Sequence, residues 1–190
     1  ESPKGKRVSL FVTCMVDMLH PETGISVVKV LEHLGVEVEF PANQTCCGQP
    51  AYNGGYHDEA KDVAKEFLKV FRDAEVIVIP SGSCATMVRM DYPKLFADDP
   101  EYLPEAERIS SITWEFSEFL VDGLGIENLD GILPEAQSFA FHDSCHGLRM
   151  MGIKDAPRKL IGNIENAEIL PLDSAEECCG FGGLFSVKLP

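Results

Sequence analysis

The sequence contains no long hydrophobic run and few basic residues. No stretch of 18 consecutive apolar residues occurs among its 190 positions, so we expect no transmembrane segment. Sixteen Lys and Arg stand against 31 Asp and Glu, which gives a formal net charge of −15. This charge repels nucleic-acid phosphates and anionic lipid headgroups. We therefore expect no nucleic acid as a partner.

Several functional signatures are also missing. No glycine-rich segment has the strand, G-x-G-x-x-G and helix order of a dinucleotide site, and no Walker lysine follows these segments, so nucleotide binding gains no support. The sequence starts without the basic and apolar regions of a secretory signal, which favours a cytoplasmic protein. It begins at Glu1 rather than at a methionine and stops shortly after a glycine-rich loop. We expect it to be a fragment of a longer chain.

Cysteine is the residue that stands out. The seven cysteines are Cys14, Cys46, Cys47, Cys84, Cys145, Cys178 and Cys179. An odd number cannot pair completely within one chain. A rare Cys-Cys-Gly triplet occurs twice, in "QTCCGQP" and in "EECCGFGG", with Gly48 and Gly180 as its third residues. One such triplet could arise by chance, but two require a common explanation.

Apolar runs and helical periodicity alternate along the chain and predict an α/β fold with parallel sheets. We expect strands at 7–13, 36–40, 76–80, 138–143 and 167–172, and helices at 24–35, 58–74, 112–125 and 155–164. The pattern predicts two related Rossmann-like halves, the second of them truncated. The predicted divisions are a first half at 1–96, a connecting segment with a helix at 97–137, and an incomplete second half at 138–190.

The spacing of the cysteines matches this pattern. Intervals of 31, 36 and 32 residues separate Cys14 from Cys46, Cys47 from Cys84, and Cys145 from Cys178, and a βαβ unit has roughly 30 residues. Each cysteine or pair follows a predicted strand, so the thiols should meet at the carboxyl edge of a sheet, where such folds place ligands. Thiols gathered there favour a soft metal ion or an iron–sulfur cluster. The glycines that should let backbone N–H groups approach sulfur are Gly48, Gly82 and Gly180.

Other interpretations remain open at this point. A single cysteine is usually small apolar filling, and four cysteines also suit tetrahedral Zn²⁺, although no short Cys-x-x-Cys knuckle is present. A disulfide scaffold is disfavoured by the length of the chain and by the absence of a signal peptide. Cys46 and Cys47 could react directly as a redox pair, since a bridge between adjacent cysteines is strained and easily reduced. His142, Asp143 and His146 flank Cys145 and could move a proton or simply orient the loop.

The arrangement Cys, about 31 residues, Cys-Cys-Gly, about 36 residues, Cys, used twice, resembles the cysteine-rich CCG domain of heterodisulfide reductases and of glycolate oxidase iron–sulfur subunits. The strings "VTCMVDMLHPETG", "EFPANQTCCGQPAYNGGY", "PSGSCATMVR", "FHDSCHGLR" and "CCGFGGLFSVKLP" are most similar to iron–sulfur proteins of lactate utilisation. The resemblance implies a cytoplasmic oxidoreductase subunit, active with partner iron–sulfur subunits, in the oxidation of L-lactate to pyruvate. Glycolate oxidation and disulfide reduction by relatives are the alternatives, as is a zinc-stabilised interaction module without redox activity. No catalytic residue is assigned.

The resemblance also assigns two ligand sets. The first is Cys14, Cys46, Cys47 and Cys84, and the second is Cys145, Cys178 and Cys179. A Cys-x-x-Cys ends the motif in heterodisulfide reductases, whereas Ser81-Gly82-Ser83-Cys84 stands here, so the first site is expected to hold a cubane [4Fe–4S] cluster or zinc. A non-cubane cluster stays open for the second site, which lacks its last cysteine in this fragment and need hold no metal.

Overall fold

The structure is a computed structural model that describes residues 3–180 and 184. The end of the predicted second half, 181–183 and 185–190, lies outside the described residues, as do 1 and 2. Four parallel strands form a first sheet in the order β2-β1-β3-β4. Their bounds are Val8–Leu10 for β1, Val38–Glu39 for β2, Val76–Ile79 for β3 and Thr113–Glu115 for β4. The prediction of an α/β fold with parallel sheets is confirmed.

Helices connect the strands of this sheet. Between β1 and β2 lie α1, Cys14–Leu19, and α2, Pro21–His33; between β2 and β3 lie α3, Gln49–Asn53, and α4, His57–Val70. Between β3 and β4 lie α5, Gly82–Thr86, a π-helical segment at Met87–Asp91, α6, Tyr92–Leu95, and α7, Leu103–Ile112. Every one of these connections returns the chain to a parallel strand, so each strand presents its carboxyl end at the same edge.

The start of the connecting segment differs from the sequence-based prediction. The helix expected at 112–125 begins only at α8, Phe116–Glu118, and continues as a π-helical segment at Phe119–Gly123. The residues before it form β4, which pairs with β3 through Ile77 opposite Thr113 and Ile79 opposite Glu115. The helix prediction was wrong for these residues because a three-residue strand is too short to show its own periodicity.

Two longer parallel strands form a second sheet. They are β5, Ile132–Ala140, and β6, Glu165–Leu170, joined through a π-helical segment at His146–Met150 and α9, Asp155–Gly162. β5 begins six residues before the expected strand, at the end of the predicted connecting segment. Pro134 lies in this extension, and a strand with a single pairing neighbour tolerates a proline.

The hydrophobic core lies on both faces of the first sheet. Along β3, Ile77 and Ile79 join a cluster with the aromatic rings of α4, whereas Val76 and Val78 join a second cluster that includes Phe119. All four residues of β3 are buried, as the continuous apolar run predicted. Of the helices that the structure describes, none has both the length and the apolar character needed to cross a membrane.

Candidate metal centre

The four cysteines of the first set come together at the carboxyl edge of the first sheet. Cys14 begins α1 after β1, Cys46 and Cys47 follow β2, and Cys84 lies in α5 after β3. The Cys14 Sγ lies 3.9 Å from the Cys46 Sγ, and the Cys47 Sγ lies 3.4 Å from the Cys84 Sγ. Cys46 and Cys47 are adjacent in the sequence and so join the two pairs. Residues up to 70 positions apart in the sequence therefore form one group of sulfur atoms.

Proton sharing makes these thiols unequal. A hydrogen bond from the Cys47 thiol is the main cause that lowers the pKa of Cys46 to about 5. Hydrogen bonding by the same thiol to Cys84 is the main cause that lowers the pKa of Cys84. As the donor of these bonds, Cys47 has its own pKa raised well above the ordinary value. Burial, followed by the charge of Cys46, raises the pKa of Cys14. At neutral pH Cys46 is therefore a thiolate, whereas Cys14 and Cys47 keep their protons.

Ser81 stands where the Cys-x-x-Cys pattern has its first cysteine, and Ser83 lies between Ser81 and Cys84. Ser81 is the N-cap of α5, where its Oγ accepts a hydrogen bond from the Cys84 N–H at 3.5 Å. Hydrogen bonds from the side chains of Ser81 and Ser83 contribute to the lowered pKa of Cys84. The serine side chains therefore stabilise negative charge on the Cys84 sulfur atom. A cysteine in place of Ser81 would instead add a second negative charge.

The turn that carries the cysteine pair is held by its neighbours on both sides. The Gly48 N–H donates to the Cys46 Sγ at 3.4 Å, in a left-handed conformation with φ of 83° that a side chain would strain. Gln44 donates to the Leu10 carbonyl and accepts from the Val12 N–H, which ties this loop to the end of β1. Gln49 does the same on the other side by donating to the Ser83 carbonyl. Sequence reasoning missed both glutamines, although they bracket the triplet in "QTCCGQ".

The backbone before Cys14 is strained. Thr13 has φ of 75° and ψ of 146°, a region that β-branched residues rarely occupy and that costs about 1–3 kcal/mol. Its buried side chain accepts a hydrogen bond from the Val16 N–H and so caps α1. This conformation turns the chain sharply out of β1 and sets the position of Cys14 relative to Cys46.

A buried tyrosine, Tyr92, contacts the backbone of the cysteine turn from the hydrophobic core. Tyr92 is fully buried, and its hydroxyl donates to the Cys47 carbonyl at 3.0 Å. Burial, followed by the charges of the cysteines, raises its pKa well above the ordinary value, so it stays protonated. Its ring packs edge-on against Phe67, which in turn packs on Phe11. The hydrophobic core therefore fixes the backbone of the cysteine turn.

The second cysteine set lies at the matching edge of the second sheet. Cys145 follows β5, and Cys178 and Cys179 follow β6. The Gly180 N–H donates to the Cys178 Sγ at 3.4 Å with φ of 77°, which repeats the geometry of the first triplet. Cys178 and Cys179 are exposed, and no thiol–thiol contact joins them to Cys145 in the part of the chain that the structure describes.

The loop that carries this second triplet is anchored by polar contacts. The His142 ring lies 2.9 Å from the Glu177 carbonyl, and the Asp143 N–H donates to the Ala175 carbonyl. The Asp143 carboxylate accepts two hydrogen bonds from Arg158, at 2.7 and 2.6 Å, and these lower its pKa. The carboxylate is covered by its neighbours but lies close to the surface. His142 and Asp143 thus orient the loop, one of the two roles considered for them.

The two cysteine-bearing edges touch each other. Gly82 lies at the start of α5, and a side chain there would come within 3.0 Å of the Ser144 Oγ and 3.3 Å of the Gly147 N. His146 lies 3.4 Å from the Gln49 side chain and accepts a hydrogen bond from Thr86 through its carbonyl. The absence of a side chain at Gly82 therefore allows the Cys145 turn to pack beside Cys84.

The four sulfur ligands of the first set suit a thiophilic metal or cluster, but their side chains do not converge on a single position. Among residues 3–180 and 184, no three His, Cys, Asp or Glu side chains are placed to bind a single metal ion. The four sulfur atoms of the first set instead form hydrogen-bonded pairs. The pKa values of Cys46 and Cys84 are lowered, and the N–H of Gly48 and the side chains of Ser81 and Ser83 contribute to this. This chemistry fits an iron–sulfur cluster or a soft cation.

These features define a cysteine-rich α/β domain, and comparison with known proteins agrees. The sequence matches the family described as "Cysteine-rich domain", CCG, over residues 8–89 and 139–190. The chain belongs to this family.

Curated relatives are closely similar over nearly the whole chain. Lactate utilization protein A of Geobacillus kaustophilus is 48% identical over 183 residues, which cover 96% of this chain and 75% of that protein. The protein of the same name from Exiguobacterium sp. is 51% identical over 185 residues, covering 96% and 74%. That of Bacillus cereus is 47% identical over 183 residues, covering 96% and 75%. The family expected from the cysteine pattern is thus confirmed.

Proposed function

We propose that this protein is an iron–sulfur electron-transfer subunit of a system that oxidises L-lactate to pyruvate. The observation that carries the proposal is the convergence of Cys14, Cys46, Cys47 and Cys84 from three strand ends onto one edge. Thiolate is the ligand that holds [4Fe–4S] clusters. These four residues would be the ligands of the first cluster, and Cys145, Cys178 and Cys179 would belong to a second.

The bound cluster would supply one-electron redox chemistry, and the polypeptide would set its environment. The N–H of Gly48 already donates to the Cys46 Sγ, and the side chains of Ser81 and Ser83 help to lower the pKa of Cys84. Hydrogen bonds to sulfur stabilise the more negative, reduced state and so raise the reduction potential. Tyr92 holds the backbone of Cys47, and the packed core beneath it excludes water from that side.

The substrate is proposed from the relatives, which carry lactate utilisation in their names. Oxidation of L-lactate to pyruvate releases two electrons and two protons, whereas an iron–sulfur cluster accepts electrons one at a time. A chain of iron–sulfur subunits would accept these electrons in sequence, so other iron–sulfur proteins of the same system are the proposed partners, in the cytoplasm. No residue of this chain is assigned to contact lactate.

The cofactor is tested on the full-length protein purified without oxygen. Iron and acid-labile sulfide in about equal amounts, with an EPR signal that changes on reduction, would support a [4Fe–4S] cluster. Cys84→Ser should abolish or alter the signal of the first site. Thr86→Ser, a conservative change in the same helix that keeps the hydroxyl bonded to His146, should not. Purified protein without iron would refute the proposal.

Zinc is the second candidate, and one observation favours it. Four sulfur ligands placed tetrahedrally about 2.3 Å from Zn²⁺ lie about 3.8 Å from one another. The sulfur contacts of 3.9 and 3.4 Å lie near this value. Stoichiometric zinc without labile sulfide in the same preparation would identify the site as structural.

The substrate requires a separate experiment. A strain from which the gene is deleted should fail to grow on L-lactate and should grow normally on glycerol. Loss of growth on glycolate instead would assign the protein to a glycolate-oxidising system. Normal growth on both hydroxy acids would contradict the proposed role while leaving the cluster assignment intact.

A further inference from the structure

The short helix that follows Cys14 exposes an apolar surface. Met15, Met18 and Leu19 of α1 are 57, 76 and 58% exposed. They occupy positions i, i+3 and i+4, so their side chains lie together on one face of the helix. Among the described residues, ten large hydrophobic side chains are exposed, and three of them belong to this six-residue helix. We call Met15, Met18 and Leu19 the α1 patch.

The other side of α1 is already packed. Val16 is half-buried against the core cluster of β1 and α2, and the helix is capped by Thr13. The α1 patch is therefore carried by a capped helix that contacts the core through Val16. Methionine adapts to different contact surfaces because it is unbranched and polarisable, and it is common where proteins bind other proteins.

Two exposed acidic side chains, Asp17 and Glu22, lie beside the α1 patch, and we call them its acidic rim. Asp17 is exposed on α1 itself, and Glu22 is exposed in the first turn of α2, which packs on α1. Between residues 8 and 60 the only Lys or Arg is Lys29, against seven Asp and Glu.

We propose that the α1 patch is the docking surface for a partner protein that presents an apolar contact surrounded by Lys and Arg. The acidic rim attracts such a partner and speeds its encounter. A second copy of this chain would bring an identical acidic rim and a net charge of −15 against the first. Anionic lipid is repelled for the same reason.

The α1 patch lies beside the first cysteine set. Met15 is adjacent in sequence to Cys14, so a protein bound over α1 lies next to the sulfur site. This inference deepens the proposed function, since the partner would be the subunit that exchanges electrons with the first cluster. Its test does not need a cluster, and the two proposals can therefore fail independently.

The test uses the full-length protein and fluorescently labelled helical peptides as probes. The first peptide carries leucines on one face with flanking lysines, the second has glutamates in place of the lysines, and the third has alanines in place of the leucines. Fluorescence anisotropy measures their affinity. The first should bind, and the other two should bind at least about tenfold more weakly, a difference of about 1.4 kcal/mol.

Variants locate the binding surface. The double substitution Met15→Gln and Met18→Gln should weaken binding of the first peptide at least about tenfold, and glutamine preserves the helix because its propensity is close to that of methionine. Ile132→Gln is the matched control, since Ile132 is 67% exposed at the first residue of β5. It should leave the affinity unchanged.

Four results would overturn the inference. They are no binding of the leucine–lysine peptide, equal binding of the glutamate peptide, equal binding of the alanine peptide, and unchanged affinity in the double variant. Sedimentation velocity of the protein alone tests the remaining occupant. A dimer that dissociates in the double variant would show that a second copy covers the α1 patch.

Discussion

Oxidation of the metal-free protein should join its thiols in a specific pattern. We expect disulfides between Cys14 and Cys46 and between Cys47 and Cys84, and none between the adjacent Cys46 and Cys47. The sulfur atoms of the first two pairs lie 3.9 and 3.4 Å apart. A disulfide of about 2.0 Å therefore needs them to approach by less than about 2 Å, whereas a bridge between neighbouring residues requires strained geometry.

The expected gain in stability follows from the loops that these bonds close. The two disulfides span 32 and 37 residues and do not overlap in sequence. The chain-entropy relation then gives about 3.7 and about 3.8 kcal/mol, and measured gains are often smaller. We therefore take half of this sum as the expected gain. Division by an unfolding entropy of roughly 0.4 kcal/mol/K for a chain of this length predicts that Tm rises by about 9 °C.

Trypsin distinguishes a bridge within the pair of Cys46 and Cys47 from bridges that join this pair to Cys14 and Cys84. Cleavage after Arg7, Lys29, Lys61, Arg72 and Arg89 places Cys14 in peptide 8–29, the pair Cys46 and Cys47 in 30–61, and Cys84 in 73–89. After oxidation by diamide, which accepts two electrons and two protons per disulfide, mass spectrometry without reduction should find all three peptides linked. Cys84→Ser should release peptide 73–89 alone, and Cys178→Ser should change nothing in this set.

Two outcomes would refute the reasoning. If peptide 30–61 remained unlinked and lost the mass of two hydrogen atoms, Cys46 and Cys47 would be bonded to each other. The thiol pairing in the fold would then be incorrect, and a direct redox role of the adjacent pair would gain support. Links from the first set to Cys145 or Cys178 would equally contradict the separate placement of the two sets.

Three further predictions concern the same region. The rate of alkylation of Cys46 in the metal-free protein should be nearly constant from pH 6 to 8, because its pKa is about 5. The alkylation rate of an ordinary thiol rises about tenfold per pH unit in this range. Mass spectrometry measures both rates. Zinc binding to the first site at pH 7 should release at least about two protons, because the raised pKa values keep Cys14 and Cys47 protonated. Calorimetry in buffers of different ionisation enthalpy measures this release. Gly48→Ala and Gly35→Ala should each cost about 1–2 kcal/mol in chemical denaturation because both glycines have positive φ, but only the former should weaken zinc binding.

The sequence was sufficient to place the cysteines but not to describe their contacts. Each cysteine of the first set follows an apolar or alternating run, and parallel pairing then brings the ends of β1, β2 and β3 to one edge. The pairing of Cys47 with Cys84 depends on side-chain rotamers, which spacing does not determine. The contributions of Tyr92 and Gln49 were missed for the same reason, since both act through contacts with residues distant in sequence.

The two missed stretches of strand have different physical causes. β4 is three residues long and is stabilised by its register with β3, a tertiary contact. The early part of β5 contains Pro134 and acidic residues, which are typical of loops, but it pairs on one side only and so can tolerate them. Local propensity is a weak predictor at sheet edges because fewer hydrogen bonds and contacts constrain the residues there.

The duplicated triplet separates what the motif itself determines from what the fold adds. In both copies the glycine has positive φ, and its N–H donates to the first cysteine at 3.4 Å, although Cys47 is buried and Cys179 is exposed. The turn geometry is therefore local. The lowered pKa of Cys46 needs more than the turn, because its main cause is a hydrogen bond from Cys47, whose position is fixed by Cys84 and by the core beneath. A short peptide containing "QTCCGQ" should adopt the turn at most transiently, and it should not reproduce the acidic thiol.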